Sequence, residues 1–465
     1  LLRLKDPQKE LLLVKETTDA QLGTKVLRYN QQFEGYEVWP AQVVTNTSAQ
    51  GYLTVVTGAY VATPEGLDLN ATVQPEVAVK SAYQHLGLAA PVKLPKPILK
   101  IYSDKGKAQE LAYEVQVEGG MRDSQVFIGA RSGQVLASIS KICTGTAVAG
   151  TGVGLLSSTP LPLNLYQNGT TYYAVDTTKA MYNSTTTPPT GYILVKDATS
   201  TDGFPISSTL RYGFPDKEAA SALYSMGKVY DFYKSTFARE SWDGSGGSLV
   251  GTVRKKNEDG SLYAGAHWEK NEMFFGSADK FAGAIDVVGH EVTHGVIQQD
   301  AGLVYYGQQG ALNESFADIF GEAVEDYVTV GAADWKIGTG LIYNWGYSNS
   351  QAELGILRSF SSPEVYDQPS RMSTYLNTTL DAGGVHINSG IPNYAYYLLV
   401  VGLPGGGIGR PKAQQIYYRA LTTKLSANSS FLDLRLAVVK SAEELHGVGS
   451  TEVLKCKAAF DAVEI

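Results

Sequence analysis

The chain has 465 residues, 43% of them hydrophobic and 18% charged, which is enough apolar surface for several packed cores and excludes a disordered chain. A net charge of −8 argues against a nucleic-acid partner, two cysteines exclude a disulfide framework, and no apolar run approaches the roughly 20 residues of a membrane-spanning helix. Residues 1–9 carry Arg3, Lys5, Asp6 and Lys9 and do not read as a signal peptide, so any leader is expected to have been removed.

At about 150 residues per domain the length suggests three domains. Residues 1–141 hold 15 basic and 14 acidic side chains and residues 142–465 hold 23 and 32, so a neutral first third precedes an acidic remainder that carries five of the six histidines. Apolar residues alternate from Lys25 to Val61, with breaks at Gly35, Asn46-Thr47-Ser48 and Gly51, as in a strand meander. Pro75 opens a helical pattern through Val77, Val79, Ala82 and Tyr83 that stops near Gly87. After a proline-rich connector, strands are expected at Ile98–Tyr102, Leu111–Val117, Gln125–Ile128 and Val135–Ile139, the last two joined by a turn at Arg131-Ser132-Gly133. The Gly/Thr/Ser/Pro-rich stretch Thr144–Pro162 reads either as a linker or as the first strand of the next domain. Strand signals continue to about Gly213. From Asp216 the spacing turns helical, and from Gly283 onward helices dominate: Asp286–Gln299, Ala311–Val328, Ile391–Val401, Pro411–Lys424, Leu432–Leu445 and Thr451–Val463.

The chemistry concentrates in three short segments. His290-Glu291-Val292-Thr293-His294 is an H-E-x-x-H motif within helical spacing, so the two imidazoles share a face and can reach one tetrahedral ion, with Glu291 beside them but not directed at it. Alone, the pair also fits two structural helix histidines. A catalytic metal needs a third protein ligand, and Glu314 stands twenty residues after His294 on a second helical pattern. Asp318, one turn further, lies on the same face and is placed to accept a hydrogen bond from a ligating imidazole. The third segment, Asp381 to Gly390, is a Gly-rich loop holding His386. Attack on a carbonyl creates an oxyanion that needs a donor besides the metal, and His386 held by Asp381 is a candidate. An ordinary loop histidine fits the same segment.

Taken together, H-E-V-T-H at 290–294, G-A-L-N-E-S-F-A-D-I-F-G at 310–321 and D-A-G-G-V-H-I-N-S-G at 381–390 resemble the thermolysin family of zinc metalloendopeptidases, from about Gly150 to the end of the chain. Residues 1–141 resemble the prosegment of that family, mainly through Val26-Leu27-Arg28-Tyr29-Asn30-Gln31-Gln32-Phe33-Glu34-Gly35. The resemblance implies zinc held by His290, His294 and Glu314, with Glu291 as general base and then acid for a zinc-activated water. It implies Tyr305 and His386 as oxyanion donors, Asp381 as the orienter of His386, Arg358 on the substrate carbonyl, and Asn313 and Asp318 behind the ligands. Val287, Ile337, Leu341 and Leu357 match apolar positions of a specificity pocket for large apolar residues on the amine side of the cut bond. Gly265 stands where the family usually has Asn, which leaves edge-strand binding to main-chain groups near Ala266; His267 replaces an aromatic and reads as cleft lining. Asp286, Glu325 and Asp334 match a calcium site. Lys336 and Thr339 stand where more acidic residues are usual, so one calcium ion is expected rather than two. Solvated surface carboxylates fit the same three positions.

The expected fold is α+β and multidomain. It comprises a strand-rich unit (1–72), a helix-plus-antiparallel-sheet inhibitor unit (73–141), a strand-rich catalytic lobe ending in the motif helix (142–299) and a helical lobe (300–465). The expected function is that of a secreted, monomeric proenzyme acting on proteins and peptides, silenced by its own residues 1–141 and cut near Ile142; the alternative is a catalytically dead zinc-binding protein on the same fold.

Overall fold

Alternation in the first third of the chain becomes a sheet. In the computed structural model, which describes residues 4–18, 24–64, 66–103, 109–117, 124–140, 145–186, 189–199, 205–332 and 334–465, eight strands join there. Leu11–Thr18, Lys25–Phe33 and Tyr36–Thr47 follow one another antiparallel, and Leu53–Ala59 also pairs with Tyr36–Thr47. The first of these precedes the meander expected from Lys25; its four consecutive apolar residues, Leu11 to Val14, hide the period-two signal. Tyr36–Thr47 then pairs in parallel with Ile98–Tyr102, and the sheet continues through Glu110–Val117, Ser124–Gly129 and Val135–Ser140. The helix Pro75–His85 lays Ala78, Val79, Ala82 and Tyr83 into one core with Leu111, Tyr113, Val115 and Val126. The segments separated at residues 72 and 73 in the sequence reading thus share one sheet, and Leu1–Cys143 forms one compact unit. Residues 141–144, including Ile142 and Cys143, lie outside the described residues.

In the second unit, Thr144–Ile465, the stretch after Gly145 resolves as a strand, Thr146–Gly152, paired with Leu161–Asn168. A five-stranded sheet follows in the order Val175–Asp176, Ile193–Asp197, Leu249–Lys255, Glu272–Gly276, Ala266–Glu269, which leaves Ala266–Glu269 at its edge. The helix Lys217–Phe237 starts where Asp216 accepts from the Ala219 amide at 2.9 Å, and it buries Ala219, Ala222, Leu223, Met226, Val229, Tyr230 and Tyr233, the face read from the spacing. The helices Ile285–Gln299, Gly307–Thr329, Asp381–Asn388, Gly390–Tyr397, Arg410–Thr423, Phe431–His446 and Thr451–Ala462 complete the unit. No described helix is long and apolar enough to cross a membrane. Leu163, Val195, Met226, Val288, Phe316, Tyr417 and Phe460 belong to one apolar cluster. That shared core packs the stranded and helical halves, divided at 299 and 300 in the sequence reading, against each other within one compact unit.

Candidate active site

The motif helix Ile285–Gln299 packs against the helix Gly307–Thr329 at two glycines. A Cβ on Gly289 would stand 3.0 Å from Gly321 Cα, and one on Gly321 would stand 2.4 Å from the Asp286 carbonyl oxygen. This close crossing brings residues 290 and 294 of one helix against 313, 314 and 318 of the other. His290 Nδ1 lies 2.9 Å from Asp318 Oδ1, and His294 Nδ1 lies 2.8 Å from Asn313 Oδ1. Both acceptors are oxygens, so each Nδ1 carries the proton and each Nε2 presents a lone pair. The two Nε2 atoms face each other at 2.9 Å. Glu314, fully buried, places its carboxylate oxygens 3.5 Å from both of them, and its Oε2 has no hydrogen-bond partner. These three ligand atoms lie within 4.8 Å of one another. Facing lone pairs beside a buried, half-satisfied carboxylate fit a cation with nitrogen and oxygen preferences, as zinc has.

Around this centre the charges are arranged tightly. Burial works against Glu314, yet His386, His290, His294 and Arg358 hold its carboxyl well below the usual range. Burial pushes Glu291 up to about 7; its Oε2 is buried without a partner. Burial, then His290, push His294 down to about 4. Tyr305 donates to Glu314 Oε1 at 2.5 Å and lies 3.1 Å from His386 Nε2. The Asp381 carboxylate takes the other side of His386, at 2.6 Å from Nδ1 and 2.8 Å from its main-chain N. The Glu314 charge and the Asp381 hydrogen bond raise the His386 pKa against burial.

His386 does not lie in an extended loop. Asp381, Ala382, Gly383 and Gly384 take four successive left-handed conformations (φ of 51°, 47°, 86° and 76°), and His386 follows on a helical turn. A Cβ on Gly383 would stand 2.9 Å from the Gly307 main-chain N, so glycine is required there twice over, by φ and by packing. Gln368, which the sequence reading missed, donates from Nε2 to the His386 carbonyl at 2.6 Å.

Arg358 is buried and turns its Nε and Nη2 onto Asp318, at 2.7 and 2.6 Å, where Asn393 also donates at 2.8 Å. Asp318 is therefore the hub that joins the first zinc-candidate histidine to Arg358. A cleft of about 500 Å³ opens beside these groups. Val287, Ile337, Leu357, Ala266, Arg358, Glu291 and His386 line it, as do Tyr263, Phe281, Trp345, Tyr347 and Tyr366, which carry no periodic sequence signal. Leu341 is not among the lining residues; it is buried in the core.

The second acidic group differs in membership from the sequence reading. The carboxylates that come together are Glu322, Glu325 and Asp334. Asp286 instead accepts the amides of Val287, Gly338 and Thr339, at 2.8, 2.6 and 3.4 Å. Arg410 reaches Glu322 at 2.9 Å and Asp326 at 3.2 Å, stacked over the Trp335 ring. Burial raises Asp286 to about 6 and Glu322 to about 7; burial, then Asp286 and Glu322, raise Glu325 to about 9. Glu322 and Glu325 each keep one buried oxygen without a partner. Glu322 was legible only as a buried helix position, one turn before Asp326.

Comparison with known proteins agrees along the whole chain. The model of the thermolysin metallopeptidase catalytic domain matches residues 149–298, that of the thermolysin metallopeptidase alpha-helical domain matches 301–465, and the Fungalysin/Thermolysin Propeptide Motif matches 9–60. Bacillolysin of Bacillus subtilis (strain 168) is 35% identical, covering 98% of this chain and 86% of its own length. Thermolysin of Alicyclobacillus acidocaldarius subsp. acidocaldarius is 34% identical with the same coverage. Among solved structures, the precursor of protealysin, a metalloproteinase from Serratia proteamaculans, superimposes with a TM-score of 0.51 at 34% identity, over 58% of this chain and 86% of that one. With a propeptide motif, a strand-rich region and a helical C-terminal domain in this order, the chain belongs to the thermolysin family of metallopeptidases.

Proposed function

We propose that this chain is the proenzyme of a secreted zinc endopeptidase that cuts on the amino side of large apolar residues. The observation that carries the reading is the pair of facing Nε2 atoms closed off by the half-satisfied Glu314 carboxylate, with the unpartnered Glu291 beside them. His290, His294 and Glu314 would hold the ion. When bound, zinc supplies Lewis acidity that polarises a carbonyl and brings water deprotonation towards neutral pH. Glu291, buried and titrating near neutrality, takes a proton from the attacking water and returns it to the leaving amine. The Tyr305 hydroxyl, 3.1 Å from His386 Nε2, would donate to the developing oxyanion beside His386. Asp381 keeps the Nε2 edge of His386 turned to that position, and Asp318 and Asn313 fix the ligand tautomers.

Val287, Ile337 and Leu357 give the cleft an apolar seat for the residue after the cut bond, and Arg358 lines the same cleft. Glu322, Glu325 and Asp334 are assigned one calcium ion. The orphaned oxygens favour a cation, while Arg410 already supplies one positive charge and so leaves room for a single ion. Residues 1–141 act as the intramolecular inhibitor, in keeping with the propeptide motif at 9–60, and such a silencing device supports export before activation. The test is casein hydrolysis by the matured protein with and without a chelator, alongside metal analysis. Activity that survives complete zinc removal refutes the reading.

A further inference from the structure

One wall of the cleft is formed by Tyr263, Ala264, Gly265 and Ala266, which lead into the edge strand Ala266–Glu269. The Tyr263 side chain folds back across this wall. Its ring stands edge-on to the His267 imidazole, with centroids 5.4 Å apart and planes at 78°. Its hydroxyl lies 3.2 Å from His267 Nδ1 and 3.4 Å from the Ala266 carbonyl oxygen. The fold-back depends on the glycine at 265: a Cβ there would stand 2.9 Å from the hydroxyl oxygen and 3.0 Å from Cζ. The phenol therefore fills the volume that any other side chain at 265 would take.

His267 is held in turn. It stacks on Phe274 with centroids 5.0 Å apart and planes at 13°. Burial and the nearby Lys255 lower its pKa, so the imidazole is neutral and can accept from the phenol. Both contacts of the hydroxyl are long for a bond from O–H, so a better acceptor entering the cleft can capture the donor. Extended peptides bind sheet edges through their main chain, and this hydroxyl stands at such an edge, in the cleft that Glu291 also lines.

Resting on the endopeptidase reading above, we infer that Tyr263 is a substrate-binding residue whose hydroxyl holds the peptide main chain beside the bond to be cut, with His267 positioning the phenol and Gly265 leaving it room. A main-chain contact made equally in the ground and transition states changes KM and leaves kcat. The experiment uses the matured, zinc-loaded enzyme and a set of internally quenched peptides that share a cut site and differ in side chains. Tyr263→Phe raises KM by roughly three- to ten-fold, the range of one neutral hydrogen bond, with kcat within about twofold and the same shift for every peptide. Gly265→Ala displaces the ring and reproduces that rise. The double variant is no worse than the more affected single variant, because both changes remove one contact. His267→Phe gives a smaller rise in the same direction. Zinc content equal to wild type certifies that each variant is folded. An unchanged KM in Tyr263→Phe overturns the inference, as do additive losses in the double variant. A wild-type enzyme that cleaves none of the peptides instead overturns the proposed function itself.

Discussion

Glu291 and Asp318 do different work at the residue scale. Glu291 is a buried acid with an unpartnered oxygen, pushed up to about 7, beside His290 and His294 but not in the group of three that could hold a metal ion. Glu291→Ala is expected to retain zinc and lose at least about a thousandfold in kcat, because base and acid roles vanish together. Near wild-type turnover with full zinc content would refute the assignment. Asp318 touches no proposed substrate, yet it accepts from His290, Arg358 and Asn393 in a fully buried setting. Asp318→Ala leaves the Arg358 guanidinium buried without its carboxylate, which costs about 3–5 kcal/mol. It also frees the His290 ring, so zinc affinity should fall by about 10–100-fold. Chemical denaturation and competition with a chromogenic chelator measure the two effects separately.

The elements set the distances. The crossing of the motif helix on Gly307–Thr329 is close because Gly289 and Gly321 meet there. The strained run before His386 depends on Gly383 in the same way. Gly383→Ala meets both a φ of 86° and a contact at 2.9 Å with the Gly307 main-chain N. The expected outcome is displacement of His386 with zinc content unchanged: kcat falls by about tenfold or more, while KM moves little, as follows from the role proposed for His386 at the oxyanion. A loss confined to KM contradicts the placement of His386 at the reacting centre. Sequence spacing gave both long helices within a few residues. It did not reveal the left-handed run, because two adjacent glycines announce a turn without saying that Asp381 and Ala382 join it.

At the scale of the whole molecule, the acidic cluster and the neighbouring Asp286 carboxylate tie stability to pH. Asp286, Glu322 and Glu325 carry folded-state values raised to about 6, 7 and 9, above the ordinary carboxylate range. Between that range and about pH 9 the folded protein binds more protons than the unfolded chain, so without a bound ion stability falls as pH rises. Calcium in millimolar amounts should offset the fall by mass action, with one ion per chain at this cluster. Melting temperatures at pH 5 and pH 8.5, with and without calcium, check the trend, and calorimetry checks the stoichiometry. A melting temperature that climbs with pH in calcium-free buffer contradicts it. The first unit supplies a second whole-molecule expectation: Glu291→Ala should accumulate as the uncut chain, and isolated residues 1–141 added in trans should inhibit the matured enzyme. Cleavage is expected within about five residues of Ile142, in a polar join of the kind where nicking concentrates.

The sequence by itself determined the chemistry and its helices. H-E-x-x-H spacing, Glu314 and Asp318 one turn apart, and the apolar periods around them are local facts, because an α-helix maps four residues onto one turn whatever surrounds it. The order of the family's segments was legible for the same reason. Tertiary structure alone decided what depends on side chains far apart in the chain. It turned Arg358 onto Asp318, brought Glu322 to Glu325 and Asp334 while main-chain amides took up the Asp286 carboxylate, merged the two predicted pieces of residues 1–141 into one sheet, and laid the Tyr263 phenol over Gly265. Each of these is a competition among partners for one buried position. Packing and desolvation settle such a competition only when the distant segments meet, so no local pattern can carry the answer.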